Sequence, residues 1–221
     1  MAEIYRKIIE EHSIYAIWQI TETTDELLAM IVLRDDEAEL FNSYVAESRK
    51  KQWLAYRILL RSLLYPENFP ILYDDHGKPY LAGCEYHISV THTDDMAAVV
   101  LSRYRKVGID SEKIKPRIEK VWEKFLNDEE MKAIGQERKL ELMTLAWCAK
   151  EALYKIYGER SLDFRENMVL SIPDRAGKPF TGEIRVRGKI YKYHLFSEMV
   201  GEYILVYLLD PPVESLQGIS T

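Results

Sequence analysis

The sequence predicts an α+β fold made of two similar α+β halves, packed as an intramolecular pseudo-dimer with the active site in the cleft between them. An internal repeat is the main observation behind this prediction. Residues 53–61 align with residues 147–155, and residues 77–80 align with residues 177–180. Each half then reads as a helix, a turn and a series of strand-like runs, as expected when one supersecondary unit is used twice.

The same pattern gives the predicted boundaries. The N-terminal half covers residues 1–105, and the C-terminal half covers residues 106–210. Residues 211–221 begin with Pro211-Pro212 and are otherwise mostly polar, so we expect a disordered tail.

Composition limits the classes of function. The 221 residues are 47% hydrophobic, which is enough apolar material to bury a core. The net charge of −6 makes the chain too acidic for a nucleic-acid partner held mainly by phosphate contacts. The only cysteines, Cys84 and Cys148, lack metal-ligand spacing, so both are expected to be reduced. With no apolar run of transmembrane length and no signal peptide at residues 1–6, we expect a cytoplasmic monomer with no membrane partner.

Helix and strand signals follow one another along the chain. A strand is predicted over residues 13–20, a capping-box helix begins after Thr23, and a second helix covers residues 45–64. The segment from Lys115-Pro116 to Phe125 is predicted to be helical, with a restart at the Asn127 cap. The remaining predicted elements are short strands at 71–73, 79–81, 86–90, 97–101 and 106–110, a long helix at 138–157 closed by Gly158, and further strands within 164–209.

Two stretches contain residues suited to chemistry. Trp147, Glu151 and Lys155 are spaced four residues apart on the long helix and lie on one stripe, although a solvated Glu-Lys surface pair has the same spacing. Asp110 and Glu112 are two residues apart on a strand and share a face. Together the three carboxylates would suit a hard cation such as Mg²⁺.

These stretches resemble the paired signature of the 4′-phosphopantetheinyl transferases. Gly-Ile-Asp-x-Glu spans residues 108–112, and Trp-x-x-Lys-Glu-Ala-x-x-Lys spans residues 147–155. Gly-Lys-Pro at 77–79 and the segment 88–93 match two further elements of the family, in the same order. The position of Gly108 in a chain of this length is similar to the larger, surfactin-type members, which are intramolecular pseudo-dimers.

The resemblance implies Mg-dependent transfer of 4′-phosphopantetheine from coenzyme A to a serine of an apo acyl or peptidyl carrier protein, giving holo carrier protein and 3′,5′-ADP. Asp110, Glu112 and Glu151 would be the ligands of Mg²⁺, or alternatively Mn²⁺, on the pyrophosphate. Lys150 and Lys155 would neutralise the same oxygens. Asp110, Glu151 and Lys155 are the predicted catalytic residues, and Glu151 would take the serine proton directly or through water.

The 3′-phosphate of coenzyme A needs donors outside the metal site. The resemblance assigns this task to Lys78, Thr91 and His92, with Arg49 and Arg57 assisting. The sequence departs from the family pattern in the matched elements: Ser89 stands where Asn is usual, Ser111 where Ile or Val is usual, and Thr91 and Thr93 where serines are usual. A threonine keeps the hydroxyl group, so phosphate binding by Thr91 is still expected.

A carrier protein needs a docking surface of its own. Residues 117–125 combine Val121, Trp122 and Phe125 with nearby lysines, so the segment is a candidate docking helix. The alternative is that these apolar residues belong to the core.

Two other functions fit parts of the pattern. A metal-dependent phosphodiesterase or nuclease can use an Asp-x-Glu strand with a further Glu and Lys, although the acidic balance and the Lys78 and His92 elements disfavour it. A non-catalytic coenzyme A binding module would be favoured if a metal carboxylate were missing.

Overall fold

The computed structural model describes residues 4–159 and 162–210, a mixed α/β protein; the predicted tail at 211–221 lies outside these residues. The strands are β1 (Ile4–Glu10), β2 (Ser13–Gln19), β3 (Ile71–Tyr73), β4 (Pro79–Leu81), β5 (His87–His92), β6 (Met96–Ser102), β7 (Val107–Lys113), β8 (Met168–Leu170), β9 (Phe180–Val186), β10 (Lys189–Val200) and β11 (Tyr203–Leu209). The helices are α1 (Thr24–Ala29), α2 (Asp35–Ser43), α3 (Glu47–Leu64), α4 (Asp128–Ala133) and α5 (Lys139–Tyr157). Two 3₁₀ turns, Pro116–Lys120 and Trp122–Lys124, precede α4.

Each long helix packs on one antiparallel sheet. Helix α3 covers a sheet of order β1-β2-β6-β5, and its Trp53 and Leu59 share a core with Trp18 and Val99 of that sheet. Helix α5 covers a sheet of order β7-β11-β10-β9-β8. Strands β3 and β4 form a separate hairpin.

The two large sheets also pack against each other. Tyr15 and Ile17 on the face of the first sheet that points away from α3 form one apolar cluster with Ile109 and Tyr207 of the second sheet. The rings of Tyr15 and Tyr207 have centroids 5.1 Å apart. The layers are therefore helix, sheet, sheet and helix, and three buried clusters stabilise them.

Strands β5 and β7 meet where these two sheets adjoin. The Ser89 hydroxyl accepts a hydrogen bond from the Ile109 amide at 3.2 Å, and the Thr91 hydroxyl accepts one from the Ser111 amide at 3.2 Å. Side chains of one sheet thus satisfy main-chain groups of the other, which fixes β5 beside β7.

The main predicted elements are confirmed. Strand β2 and helices α3 and α5 lie where they were expected, and Thr23 forms the predicted capping box with Glu26. Helix α5 ends at Gly158 with a left-handed φ of 78°. None of the described helices is long and apolar enough to cross a membrane.

Strand β1 and helix α2 were not predicted. Tyr5 and Ile8 of β1 are exposed, so this edge strand lacks a clear alternation of buried and exposed residues. Helix α2 buries Phe41 as its only apolar side chain, which gives no helical periodicity. The predicted helix before Phe125 is wrong in type, because the chain there forms the two 3₁₀ turns.

Candidate active site

A cleft of about 470 Å³ lies at the junction of β5, β7 and the second half of α5. It brings together most of the predicted site residues. Those lining it are Arg49, Lys78, Thr91, His92, Asp110, Glu112, Trp147, Glu151 and Lys155. A further cavity of about 520 Å³ shares Tyr73, Lys78 and Pro79 with the cleft but contains none of Asp110, Glu112 and Glu151.

The carboxylates reach the cleft from two elements. Asp110 and Glu112 alternate along β7 and pair with Val206 and Ile204 of β11, so they share a face. Glu151 comes from α5, which lies very close to β7: a Cβ atom at Gly108 would be only 2.3 Å from the Ala152 carbonyl oxygen. Glycine at this position is what lets the helix lie so near the strand.

These three carboxylates repel one another electrostatically. Burial, followed by the nearby Asp110 carboxylate, raises the pKa of Glu151 to about 7, and Glu112 adds to the shift while Lys155 opposes it. Burial and Asp110 also raise the pKa of Glu112. The site therefore favours an added positive charge.

Lys155 and Thr91 fix the orientation of Asp110. Lys155 Nζ donates to Asp110 Oδ1 at 2.8 Å and to the carbonyl oxygens of Val90 and Ile109 at 3.1 and 2.9 Å. The Thr91 hydroxyl donates to the same Oδ1 at 3.0 Å. Thr91 is buried and donates its single hydroxyl hydrogen to Asp110, so in this structure it holds Asp110, and its predicted contact with phosphate stays a prediction.

Other basic side chains also line the cleft. Arg49 Nη1 lies 2.6 Å from His92 Nε2, and an arginine can only donate, so the ring hydrogen of His92 lies on Nδ1. Burial, then Arg49 and Lys155, lowers the pKa of His92 to about 4. Lys78 Nζ donates to the Lys155 carbonyl oxygen at 2.7 Å at the end of α5, and burial lowers its pKa. The charge beside His92 is therefore that of Arg49.

The predicted binding role of Lys150 is wrong. Its side chain is 0% exposed, and Nζ is bound by Glu130 and by three main-chain oxygens. Since α5 turns by about 100° per residue, Lys150 lies about 100° around the helix from Glu151, and it does not line the cleft.

Arg57 is also not a ligand. It is fully buried, donates to Glu37 Oε1 at 3.4 Å and to the Tyr73 hydroxyl at 3.1 Å, and lies over the Trp53 ring at 3.5 Å. It also donates to the Tyr56 hydroxyl. All its polar contacts are internal.

Three tyrosines in the cleft were not predicted. Tyr56 and Tyr73 bring their hydroxyls together where Arg57 can bind both, and Tyr154 follows Glu151 by three residues on α5. The spacing of Tyr154 was a usable signal, because residues three apart are neighbours on a helix. Nothing in the sequence connects Tyr56 with Tyr73.

The carboxylates suit a divalent cation in their chemistry. Within residues 4–159 and 162–210, no three His, Cys, Asp or Glu side chains are grouped closely enough to hold a metal ion. Mg²⁺, however, is usually held by one or two carboxylates together with water and substrate phosphate oxygens. The repulsion between the carboxylates would be relieved by a cation, so the donors fit such a shared site.

A basic groove of about 360 Å³ adjoins the cleft and shares Glu112 and Trp147 with it. Phe125, a predicted docking residue, is fully buried and belongs to the core, whereas Val121 lines the groove. The groove's positive side chains are those of Lys113, Lys115, Arg117 and Lys120.

Comparison with known proteins gives one family. Residues 106–208 match the model of the 4′-phosphopantetheinyl transferase superfamily. The 4′-phosphopantetheinyl transferase AcpT of Salmonella typhi is 35% identical over 119 residues, which are 50% of this chain and 60% of the relative. AcpT of Escherichia coli is 36% identical over 119 residues, 50% of this chain and 59% of that protein.

A third relative is matched over a longer segment. The 4′-phosphopantetheinyl transferase HetI of Nostoc sp. is 24% identical over 163 residues, 66% of this chain and 68% of the relative. The chain spans about three fifths of the length of the two AcpT proteins.

Proposed function

We propose that this chain, whose residues 106–208 match the model of the 4′-phosphopantetheinyl transferase superfamily, belongs to that superfamily and transfers 4′-phosphopantetheine from coenzyme A to a serine of a carrier protein. In this reaction the serine Oγ attacks the phosphorus that bears the pantetheine. The bond from this phosphorus to the bridging pyrophosphate oxygen breaks, and 3′,5′-ADP leaves. The serine proton passes to a base on the protein.

One observation carries the proposal. A single cleft holds the Asp110, Glu112 and Glu151 carboxylates together with Lys155, and it is also lined by the cationic side chains of Arg49 and Lys78. Coenzyme A has two phosphate centres, a pyrophosphate and a 3′-phosphate, and each needs charge neutralisation. A nuclease would not need the second cationic group.

Asp110, Glu112 and Glu151 would hold a divalent cation, which we take to be Mg²⁺ with Mn²⁺ as the alternative. A bound cation of this kind stabilises negative charge on pyrophosphate oxygens. Lys155, already fixed by Asp110, would contribute its positive charge to the same oxygens. Thr91 would keep Asp110 in place.

Glu151 is our proposed base for the serine hydroxyl. It lines the cleft, and no hydrogen bond or ion pair involves its side chain in the described part of the chain. Burial and Asp110 raise its pKa to about 7, and a cation bound beside it would lower that pKa, so Glu151 would be ionised and able to accept a proton.

Within the same cleft, Arg49 would supply the charge that binds the 3′-phosphate. His92, uncharged and bound to Arg49 through Nε2, would act as a hydrogen-bond donor through Nδ1. Lys78 has one hydrogen bond to the end of α5, and an ammonium has three donors, so it can also reach a phosphate.

The pseudo-dimer is proposed on the topology of the sheets. In the first half the strand order β2-β6-β5 accompanies α3, and in the second half the order β7-β11-β10 accompanies α5. In both, the strand before the long helix pairs with the last strand of the half. This equivalence supports a division near residue 105.

The basic groove is our proposed docking surface for the carrier protein, an acidic helical domain in this family's reactions. Lys115, Arg117 and Lys120 provide charge complementarity, and Trp147 connects the groove to the cleft. The monomeric state, the cytoplasmic location and the absence of membrane and nucleic-acid partners stay predictions.

The test is incubation with coenzyme A, Mg²⁺ and an apo carrier protein, followed by intact mass measurement. We expect the carrier to gain the mass of phosphopantetheine. A carrier with alanine at the acceptor serine and the enzyme variant Glu151→Gln should give no gain. Glu137→Gln, which removes an exposed carboxylate outside the cleft, is the matched control and should stay active.

An unmodified carrier in the presence of normal coenzyme A binding would contradict the transferase proposal and favour a binding module. Hydrolysis of coenzyme A without a carrier would instead favour a phosphodiesterase.

A further inference from the structure

Lys150 forms a buried junction on α5 beside the face of the helix that lines the cleft. Its side chain is 0% exposed. Nζ lies 2.6 Å from the carbonyl oxygen of Phe125, 2.9 Å from that of Phe164 and 2.9 Å from that of Met168. A buried ammonium is stable only with such a complete set of acceptors.

Glu130 completes this junction. Its Oε2 lies 2.7 Å from Lys150 Nζ and accepts the Asn127 amide at 2.9 Å, while Oε1 accepts the Leu170 amide at 2.8 Å. The pair therefore joins α4, α5, β8 and the segments around Phe125 and Phe164. All of its partners are internal.

The segments bound by Lys150 also support a cleft residue. The Phe125 ring lies edge-on to Trp147 at 5.2 Å, and the Phe164 ring lies 5.7 Å from Trp147 and 5.6 Å from Tyr154. Trp147 lines both the cleft and the basic groove, and Tyr154 lines the cleft. The phenylalanine pair, Phe125 and Phe164, thus connects the buried ion pair to the wall of the site.

We propose that Lys150 is a positioning residue: by binding the main-chain oxygens of Phe125 and Phe164, it fixes the two rings that hold the Trp147 indole between the nucleotide cleft and the acceptor groove. The assignment of these two spaces rests on the proposed function. Lys150 itself touches neither substrate.

The test uses the Trp122→Phe background, in which Trp147 is the only tryptophan that is not deeply buried, since Trp18 and Trp53 are 3% and 0% exposed. The double variant Lys150→Met/Glu130→Gln removes both charges together and so avoids leaving one unpaired in the core. Phe164→Ala removes one supporting ring directly. Leu195→Ala, a truncation elsewhere in the same core, is the control for loss of stability alone.

Each variant is measured at a temperature where circular dichroism shows it fully folded. The readouts are acrylamide quenching of Trp147, binding of 3′,5′-ADP, and kcat and KM of transfer. For the double variant we expect quenching to rise toward the Phe164→Ala level and kcat to fall by about a hundredfold, the effect of a small misplacement in a site. Binding of 3′,5′-ADP, which lacks the pantetheine arm, should not change.

The proposal is overturned if the double variant has the same quenching and kcat as the wild type. It is also overturned if Leu195→Ala changes quenching and kcat as much as the double variant does. Quenching and nucleotide binding need no carrier protein. If the wild type modifies no carrier but the double variant still exposes Trp147, the proposed function fails while the positioning role of Lys150 stands.

Discussion

The two long helices use the same sequence spacing for opposite purposes. The α3 stripe consists of Trp53, Arg57 and Arg61, and the α5 stripe consists of Trp147, Glu151 and Lys155. Both have an aromatic residue followed by ionisable residues four and eight positions later. The α5 stripe faces the cleft. In the α3 stripe, by contrast, Trp53 and Arg57 are 0% exposed.

The difference lies in what covers each stripe. Glu37 of α2 binds both Arg57 and Arg61, so the α3 stripe is closed by an ion cluster. The comparable glutamate of the second half, Glu130 of α4, binds Lys150 on another side of α5. Glu37 and Glu130 each occupy the third position of a capping box. A similar buried pair therefore closes one stripe and leaves the other open for chemistry.

If the α5 stripe performs the chemistry, removing its carboxylate partners should have the largest effect on activity. Asp110→Ala, Glu112→Ala and Glu151→Ala should each nearly abolish transfer, and double variants should be little worse, because the carboxylates act as one unit. Intact-mass time courses measure this. Full activity of Glu112→Ala would show that the unit consists of Asp110 and Glu151 alone.

If the α3 stripe is structural, its main variant should lose stability. Arg57→Met leaves Glu37 buried with one partner fewer, and breaking such a pair costs about 3–5 kcal/mol. Urea denaturation should show this loss, and Arg57→Met/Glu37→Gln should recover part of it. Arg103→Met, at an exposed arginine, is the control. If Arg57→Met were as stable as Arg103→Met, a structural role for Arg57 would be contradicted.

The basic side chains of the cleft should discriminate between coenzyme A and 3′-dephospho-coenzyme A as donors. Arg49→Ala and His92→Ala should weaken coenzyme A binding by about 1.5–3 kcal/mol each, the range for hydrogen bonds to charged groups. Binding of 3′-dephospho-coenzyme A should change little, since it lacks their partner. Lys78→Ala should behave similarly but also disturb the end of α5, which Lys78 binds.

Calorimetry measures the affinity of each variant for both donors. The carboxylate variants are the control, because they should lose transfer activity equally with either donor. Equal losses of affinity for both donors in His92→Ala would mean that His92 supports Arg49 or the strand rather than the phosphate.

The smallest expected effect concerns pH and stability. In the fold the pKa of Glu151 is about 7, above that of an ordinary glutamate. Between the two values the folded state binds a proton that the unfolded state has released, so raising the pH destabilises the fold, and this loss is complete above the folded pKa.

Glu151→Gln should remove this penalty. It should therefore be more stable than the wild type by about 1–3 kcal/mol at about pH 8 and about equally stable at pH below 5. Urea denaturation at the two pH values measures the difference. A gap that is the same at both values would show that folding does not raise the pKa of Glu151 above its unfolded value.

Much of the fold could be predicted because its signals are local. The capping box at Thr23 and the long uninterrupted run before Gly158 depend on residues that are neighbours in the chain. Helix α2 could not be predicted in this way, because it is tied to the rest of the fold by Glu37. This polar residue binds partners that lie 20 and 24 residues away in the chain.

For the candidate site, too, the residues predicted correctly are those whose signal is local in the sequence. The spacing of Asp110 with Glu112, and of Glu151 with Lys155, correctly predicted that these side chains share a surface. The offset of Lys150 from Glu151 by one residue already indicates another face of the helix. Arg57, however, has the spacing of a stripe residue, and only the tertiary position of α2 reveals that it is buried.

Gly108 has a consequence for the choice of metal. Since no side chain separates β7 from α5 at this point, the strand that carries Asp110 lies close to the helix that carries Glu151. An alanine here would have to lift the helix beside the carboxylates. If these share a cation as proposed, a wider gap would favour an ion of larger radius over Mg²⁺, whose bonds to oxygen are only about 2.0–2.1 Å long. The ionic radius that the site accepts would then be set by the absence of a single methyl group.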